Sequence, residues 1–434
     1  MVPVRGYAKK RVAVLGLSGP GFAAAHALAA GGADVTVWDS DAPQRFKAHA
    51  SGLNVEDLTE RDWGDLAALV VEDAGLVTAE DPPRLIDLAR AVGAPVIAAR
   101  CLLVEAAARA PGIDLALLAG RHAEAAAQTA LHLLDAAGLP ATGLLDERPA
   151  TASSWVIAAL SPAELALLPD TVEAKAFVAL SPGPDPEASV LERLADGAVK
   201  ALITSAETRA CARLIANRRG PHVAAVSGRQ VLGGGVYSVD GMVYDALDGR
   251  ARRAGALSPC APREAIAAGY ALARRLGVAH ENAAQALAGF KGARGHGRTV
   301  LEVGPVSFVD WSAAHTPASA VDAVSGRAPV VWVAGPGLDR HAAGLLAEAG
   351  GGVRAVHLVT DRGRAAKPIS GVAACLVHRE LSGAIARGLH DALRSGAKGC
   401  ALVYAPGSLS GHTGETFEEV ARALLERALR GDAA

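Results

Sequence analysis

Short apolar runs alternate with alanine-rich stretches almost from one end of the chain to the other, and this alternation limits the fold more than any single motif. The runs include "RVAVLGL", "ADVTVWD", "LAALVVE", "APVIAA", "IDLALLAG" and "AKAFVALSP". Strands separated by helices pair in parallel, because the chain crosses over before laying down the next strand. The fold class is therefore α/β, with parallel sheets covered by helices. At 434 residues the chain is long enough for two to four domains, each with its own core.

Three blocks are expected: residues 1–110, 111–298 and 299–434. The first carries a glycine-rich loop after its first strand. The second opens on "IDLALLAG", runs through "TASSWVIAALSPAELALLPD" and closes with a helical region that ends at "GFKGARGHGRT". The third begins with "TVLEV" and "VSFVDWS", then alternates again through "PVVWVAG", "VRAVHLVT" and "CALVYAPG".

Composition removes several functions. A formal net charge of −2 and 4% aromatic residues leave neither a basic footprint nor stacking surfaces for nucleic acid. The run from Val12 to Leu17 is too short for the apolar core of a signal peptide, and no stretch is long enough to span a bilayer, so a cytoplasmic protein without membrane insertion is expected. Cys101, Cys211, Cys260, Cys375 and Cys400 are scattered, which suits a reducing compartment and gives no structural zinc pattern. No metal ligands are predicted.

"VAVLGLSGPGFAAAHALAAGGADVTVWD" places Gly16, Ser18, Gly19 and Gly21 between a strand and a helix, with Asp39 closing the next strand. Glycines let the backbone turn tightly and approach a phosphate, whose charge the amides at a helix N-terminus meet. The spacing departs from G-x-G-x-x-G, with Ser18 in the second glycine place. A nucleotide-type ligand and a merely structural turn both remain open.

"LLAGRHAEAAAQTALHLL", Leu117 to Leu134, has the strand, loop and helix order of a phosphate loop, with Gly120, Arg121 and His122 in the loop. The place of the lysine is held by Glu124. At about 4 Å and an effective dielectric near 20, one charge pair is worth about 4 kcal/mol, so this exchange turns attraction for a triphosphate into repulsion. Ala125 and Ala126 remove the hydroxyls that would hold magnesium. "GARGHGRT", Gly292 to Thr299, is a near match to the same pattern with Arg298 for lysine, but a helix precedes it and a strand follows; it reads as a linker. "GLSGPG" is not a nucleophile elbow, and His315, His341 and His412 read as loop histidines in solvent.

In its whole ordering the chain resembles the Mur ligase family, and most its D-glutamate-adding branch. The resemblance rests on the first glycine loop, on "AAGYALARRLGVAHENAAQALAGFKGARGH", on "VSFVDWSAAHTPASAVDAV" and on "CALVYAPGSLSGHTGETFEEVARALL". It implies a Rossmann-like UDP-sugar domain, a central P-loop-ATPase-like domain and a Rossmann-like C-terminal domain. It also implies chemistry through an acyl phosphate made from ATP and magnesium.

Residue by residue, the family's "TGTNGKTTT" falls on Ala119 to Ala127, so its lysine falls on Glu124. The magnesium-binding glutamate of "ELSSFQL" falls on Ala159, and "GPDPEASVLERLADG" has no counterpart to the family's modified lysine. In the amino-acid pocket Trp311, Ala313 and His315 stand for the family's aspartate, lysine and threonine, beside Thr316; Ser410 keeps a serine. The resemblance thus implies a ligase that has lost ATP-driven amide formation, with no cofactor, that keeps a UDP-N-acetylmuramoyl ligand at Gly16, Ser18, Gly19, Gly21 and Asp39 or docks a protein of cell-wall synthesis. Two alternatives stay open. One is an active, diverged ligase using ATP and Mg2+, with Arg121, His122 or Arg298 as the missing cation; the other is an NAD(P)-dependent oxidoreductase on the first loop.

Overall fold

The computed structural model describes the chain apart from residues 61, 148–149, 152, 182–187, 217–221, 259, 326–328, 336–351, 360–374, 396–398, 408–413 and 431–434. Three sheets form, all served by helical crossovers. The first contains β1 (Arg11–Leu15), β2 (Asp34–Trp38), β3 (Asn54–Val55), β4 (Leu66–Val71) and β5 (Val96–Ala98), with α1 (Gly19–Ala30), α2 (Ala42–Ala50), α3 (Arg84–Ala91) and α4 (Ala99–Arg109) between or after them. Its order is β3-β2-β1-β4-β5 and its pairs are parallel. The strand order reverses between β1 and β4, which opens a crevice at their carboxyl ends.

The second sheet begins with β6 (Asp114–Ala119), followed by α5 (Ala123–Ala136), β7 (Ala141–Gly143), β8 (Trp155–Leu160), α6 (Pro162–Leu167) and β9 (Ala176–Ala179). It continues through α7 (Ala188–Gly197), β10 (Ala201–Ser205), α8 (Arg209–Ala216), β11 (Val223–Ser227), β12 (Val236–Val239), β13 (Met242–Asp245) and β14 (Arg252–Ala256). The order is β14-β13-β12-β11-β10-β9-β6-β8-β7. Helices α9 (Arg263–Arg275) and α10 (His280–Ala288) follow.

The third sheet is built from β15 (Arg298–Val303), β16 (Val306–Asp310), β17 (Val330–Ala334), β18 (Val353–Val359), β19 (Cys375–His378) and β20 (Cys400–Tyr404), in the order β15-β16-β20-β17-β18-β19. Helix α11 (Pro317–Val324) follows β16, and helices Leu381–Arg394 and Gly414–Arg430 flank β20. The β15–β16 hairpin is antiparallel and the other pairs are parallel.

The central strands bury both faces, which is why they read as unbroken apolar runs. Val12, Val14 and Val37 pack on one side of the first sheet, Ala13, Leu69 and Val71 on the other. Alanine lets α1 lie close: Ala24, Ala25 and Ala27 are fully buried, and a Cβ at Gly21 would stand 1.9 Å from the Gly16 carbonyl oxygen. The third sheet is filled by Trp332, Val356 and Val403 on one face and by Phe308, Leu402 and Phe417 on the other.

The described residues group into two compact units. One comprises Met1–Tyr237, Tyr244–Ala254 and Ala267–Ala286; the other Ser238–Val243, Gly255–Ile266 and Leu287–Ala434. Among the described residues no helix is long and apolar enough to cross a membrane.

Candidate functional site

The first glycine loop lies in the crevice between β1 and β4. Its first three backbone donors are taken by acceptors of the chain itself. Gly16 N–H donates to the Trp38 carbonyl at 2.9 Å, Leu17 N–H to Asp39 Oδ2 at 2.6 Å, and Ser18 N–H to Glu72 Oε2 at 3.0 Å. Asp39 also accepts from Asp41 N–H through Oδ1 at 2.7 Å, so its carboxylate braces the loop. The Arg45 guanidinium bonds the Asp39 and Ser40 carbonyls and lies 4.7 Å from the Trp38 ring. Ser18 caps α1 by position only, with no side-chain cap bond, and Pro20 occupies the first turn, where a missing N–H costs nothing.

Glu72 was not among the residues the sequence singled out. It is the first residue beyond β4, and it is half-buried. Burial pushes its carboxyl pKa up; the Ser18 hydrogen bond opposes this and neighbouring Asp39 adds to it.

Beside the loop is a cavity of about 140 Å³ bounded by Gly19, Phe22, His26, Lys47, Leu144 and Asp146, among others. The Lys47 ammonium lies 4.6 Å from the Phe22 ring centroid, and His26 meets the same ring edge-on at 4.6 Å.

The second loop joins β6 to α5. Gly120 adopts φ +105°, and a Cβ there would stand 2.6 Å from the Leu180 carbonyl oxygen at the end of neighbouring β9. Glycine is therefore required by the turn itself. Arg121 N–H donates to the Ser181 carbonyl at 2.9 Å, and His122 caps α5 in the left-handed region at φ 59°. Glu124, in the first turn of α5, faces Arg100 from the start of α4, with Oε2 3.6 Å from Nη1. The same guanidinium lies 3.5 Å from Glu164 Oε1 through Nε and donates to the Ala159 carbonyl at 2.8 Å. Glu164 is fixed in turn by a capping box with Ser161 at the start of α6. Arg100 thus gathers α4, α5 and the end of β8 around one cation, an arrangement invisible in the spacing of these residues.

In the second unit, Trp311 turns into the core and donates its indole N–H to the Cys260 carbonyl at 3.1 Å. Ala313 N–H donates to the Gly295 carbonyl at 3.1 Å; His315 is exposed; Thr316 caps α11 in a box with Ser319. Arg298 opens β15 in register with Asp310. Ser410, with His412 and His341, lies outside the described residues.

A separate buried network joins β13 to α9 and α10. Asp245 Oδ2 accepts from Arg274 Nε at 2.8 Å and lies 3.1 Å from His280 Nδ1, which is 3.0 Å from the Tyr270 hydroxyl. Burial alone would raise the Asp245 pKa, but hydrogen bonds from Leu247 N–H, Arg274 and His280 bring it below the usual value. These contacts tie the helices to the sheet.

No family model matches the chain. Its fold is shared with the UDP-N-acetylmuramate–alanine ligase of Thermotoga maritima, at a TM-score of 0.63 and 14% identity, covering 98% of this chain and 100% of that one. A sequence relative from Phenylobacterium zucineum is 30% identical over 368 residues, 77% of this chain and 78% of its own length. The chain belongs to the Mur ligase family. That relative, and one from Rhizobium etli that is 29% identical over 457 residues, 96% of this chain and 94% of its own, are both UDP-N-acetylmuramoylalanine–D-glutamate ligases. The similarity therefore lies with that branch.

Proposed function

We propose that this chain is a non-catalytic member of the Mur ligase family in peptidoglycan precursor metabolism, which holds a UDP-N-acetylmuramoyl ligand, or a protein of cell-wall synthesis, without ATP-driven amide formation. The observation that carries this reading is the Arg100 cluster. A magnesium–triphosphate needs a cation from the loop and carboxylates for the metal. Here the place of the loop lysine holds Glu124, whose charge is directed to Arg100, and Ala159, at the place of the family's magnesium-binding glutamate, offers only a carbonyl that Arg100 already uses. These residues do not fit ATP and Mg2+.

Ligand binding on this reading falls to the first domain: Gly16, Ser18, Gly19 and Gly21 form the loop, Asp39 holds it, and the cavity beside Gly19 takes the remainder of the molecule. The division at about residues 110 and 298 and the loss of the amino-acid pocket at Ala313, His315, Thr316 and Ser410 belong to the same proposal. Thr316 supports it, since its hydroxyl caps α11.

The test is phosphate release from Mg-ATP by the purified protein, with UDP-N-acetylmuramoyl-L-alanine and D-glutamate together and with each withheld. Folded protein is expected to release none. Release that requires both substrates would establish the active-ligase alternative.

A further inference from the structure

We propose that Glu72 is an intramolecular anion lodged in the first glycine loop, and that a nucleoside diphosphate enters this loop only by driving its carboxylate out. This rests on the reading that places the ligand at that loop. Glu72 follows β4, and β4 neighbours β1 at the reversal of strand order, so its side chain projects into the crevice where α/β sheets receive ligands.

There it does what a phosphate oxygen does in such a loop. Oε2 accepts the Ser18 N–H at 3.0 Å, at the very start of α1, where the helix favours negative charge. Gly16 admits this carboxylate because it has no side chain: a Cβ there would lie 2.8 Å from both Cβ and Oε2 of Glu72. The preceding donors, Gly16 N–H and Leu17 N–H, are held by the Trp38 carbonyl and Asp39. A diphosphate approaching the loop therefore meets two carboxylates and finds its first amides engaged. The lodged group is half-buried, and so partly stripped of water.

Neutralising Glu72 removes one like-charge repulsion and turns a charged competitor for Ser18 N–H into a weaker, neutral one. Together these are expected to strengthen binding of a nucleoside diphosphate at least tenfold.

The experiment is calorimetric titration of the full chain with UDP-N-acetylglucosamine, whose diphosphate diester keeps its charge near neutral pH. Wild type is compared with Glu72→Gln, Glu72→Ser and a control at an exposed site, Glu80→Gln; thermal melts verify folding. Glu72→Gln keeps an acceptor for Ser18 N–H and preserves the loop even if Glu72→Ser loosens it. Tighter binding by at least tenfold in Glu72→Gln, with the control unchanged, supports the proposal. Equal affinity in wild type and Glu72→Gln overturns it, and so does absence of binding in every folded variant. The titration contains no ATP, so its outcome is independent of whether the chain turns ATP over.

Discussion

Replacing Glu124 with lysine restores the residue type that a phosphate loop uses, yet it is expected to destabilise the protein and to produce no ATP turnover. Glu124 Oε2 lies 3.6 Å from Arg100 Nη1. At an effective dielectric near 20 such a pair is worth about 4–5 kcal/mol, and reversing its sign would double the change as an upper bound. The Glu124 side chain is 39% exposed, and solvent-screened pairs return about 0.2–1 kcal/mol, so the electrostatic cost falls to about 1–2 kcal/mol. A cation in the first turn of α5 also opposes the helix dipole, which adds about 0.3–1 kcal/mol. The expected loss is about 2 kcal/mol for Glu124→Lys and under about 1 kcal/mol for Glu124→Gln. Urea denaturation of each, alone and combined with Arg100→Leu, reads the coupling; the penalty of Glu124→Lys should shrink once Arg100 is removed. Phosphate release from Mg-ATP is measured on the same samples. Stability equal to wild type, or magnesium-dependent release by Glu124→Lys, would refute the reasoning, because Arg100 would then not command the loop.

Arg274→Leu leaves Asp245 buried with a carboxylate short of a partner, and is expected to cost about 3–5 kcal/mol in denaturant unfolding. The folded Asp245 pKa is depressed, so the stability its partners give is present above the ordinary value of 3.8 and lost as pH falls through the folded one. Arg274→Leu should lose that acid-side slope. His357 is held at about 4, chiefly by burial and then by His378, against an ordinary 6.5. Between those values the unfolded chain binds a proton that the folded chain refuses, so stability should fall by up to about 3 kcal/mol as pH drops through the window. His357→Asn should flatten that slope, as read by tryptophan fluorescence in denaturant. Gly21→Ala drives a methyl to 1.9 Å from the Gly16 carbonyl oxygen, and thermal melts should show a loss exceeding about 3 kcal/mol, or no folded protein.

The strands of the first two sheets were legible where burial leaves continuous apolar runs, such as "VAVL" in β1, "LAALVV" in β4 and "LALLA" in β6. Strands β7, "ATG", and β14, "RRAGA", escaped notice: the first is three residues long, and the second carries two arginines at the sheet's edge. The glycine positions were legible as well, since a turn at Gly120 or a close approach at Gly21 tolerates no other residue. Charged partners were not. Ser18 and Glu72 are 54 residues apart, and Arg100 and Ala159 are 59 apart, and no periodicity links them. Trp311 and Thr316 fall in the segment that resembles the family's amino-acid pocket; in the fold the indole is buried and donates to the Cys260 carbonyl, and the threonine caps a helix. A substituted position thus takes a packing role that only its distant neighbours reveal.

The Arg100 cluster resists change one residue at a time. A chain that took lysine at position 124 would first carry two cations side by side, and one that lost Arg100 first would strand Glu164, whose side chain is only 10% exposed. Either first step lowers stability before the second can restore it. The three residues therefore act as a ratchet, and sequences descended from this one should change them together or leave them alone.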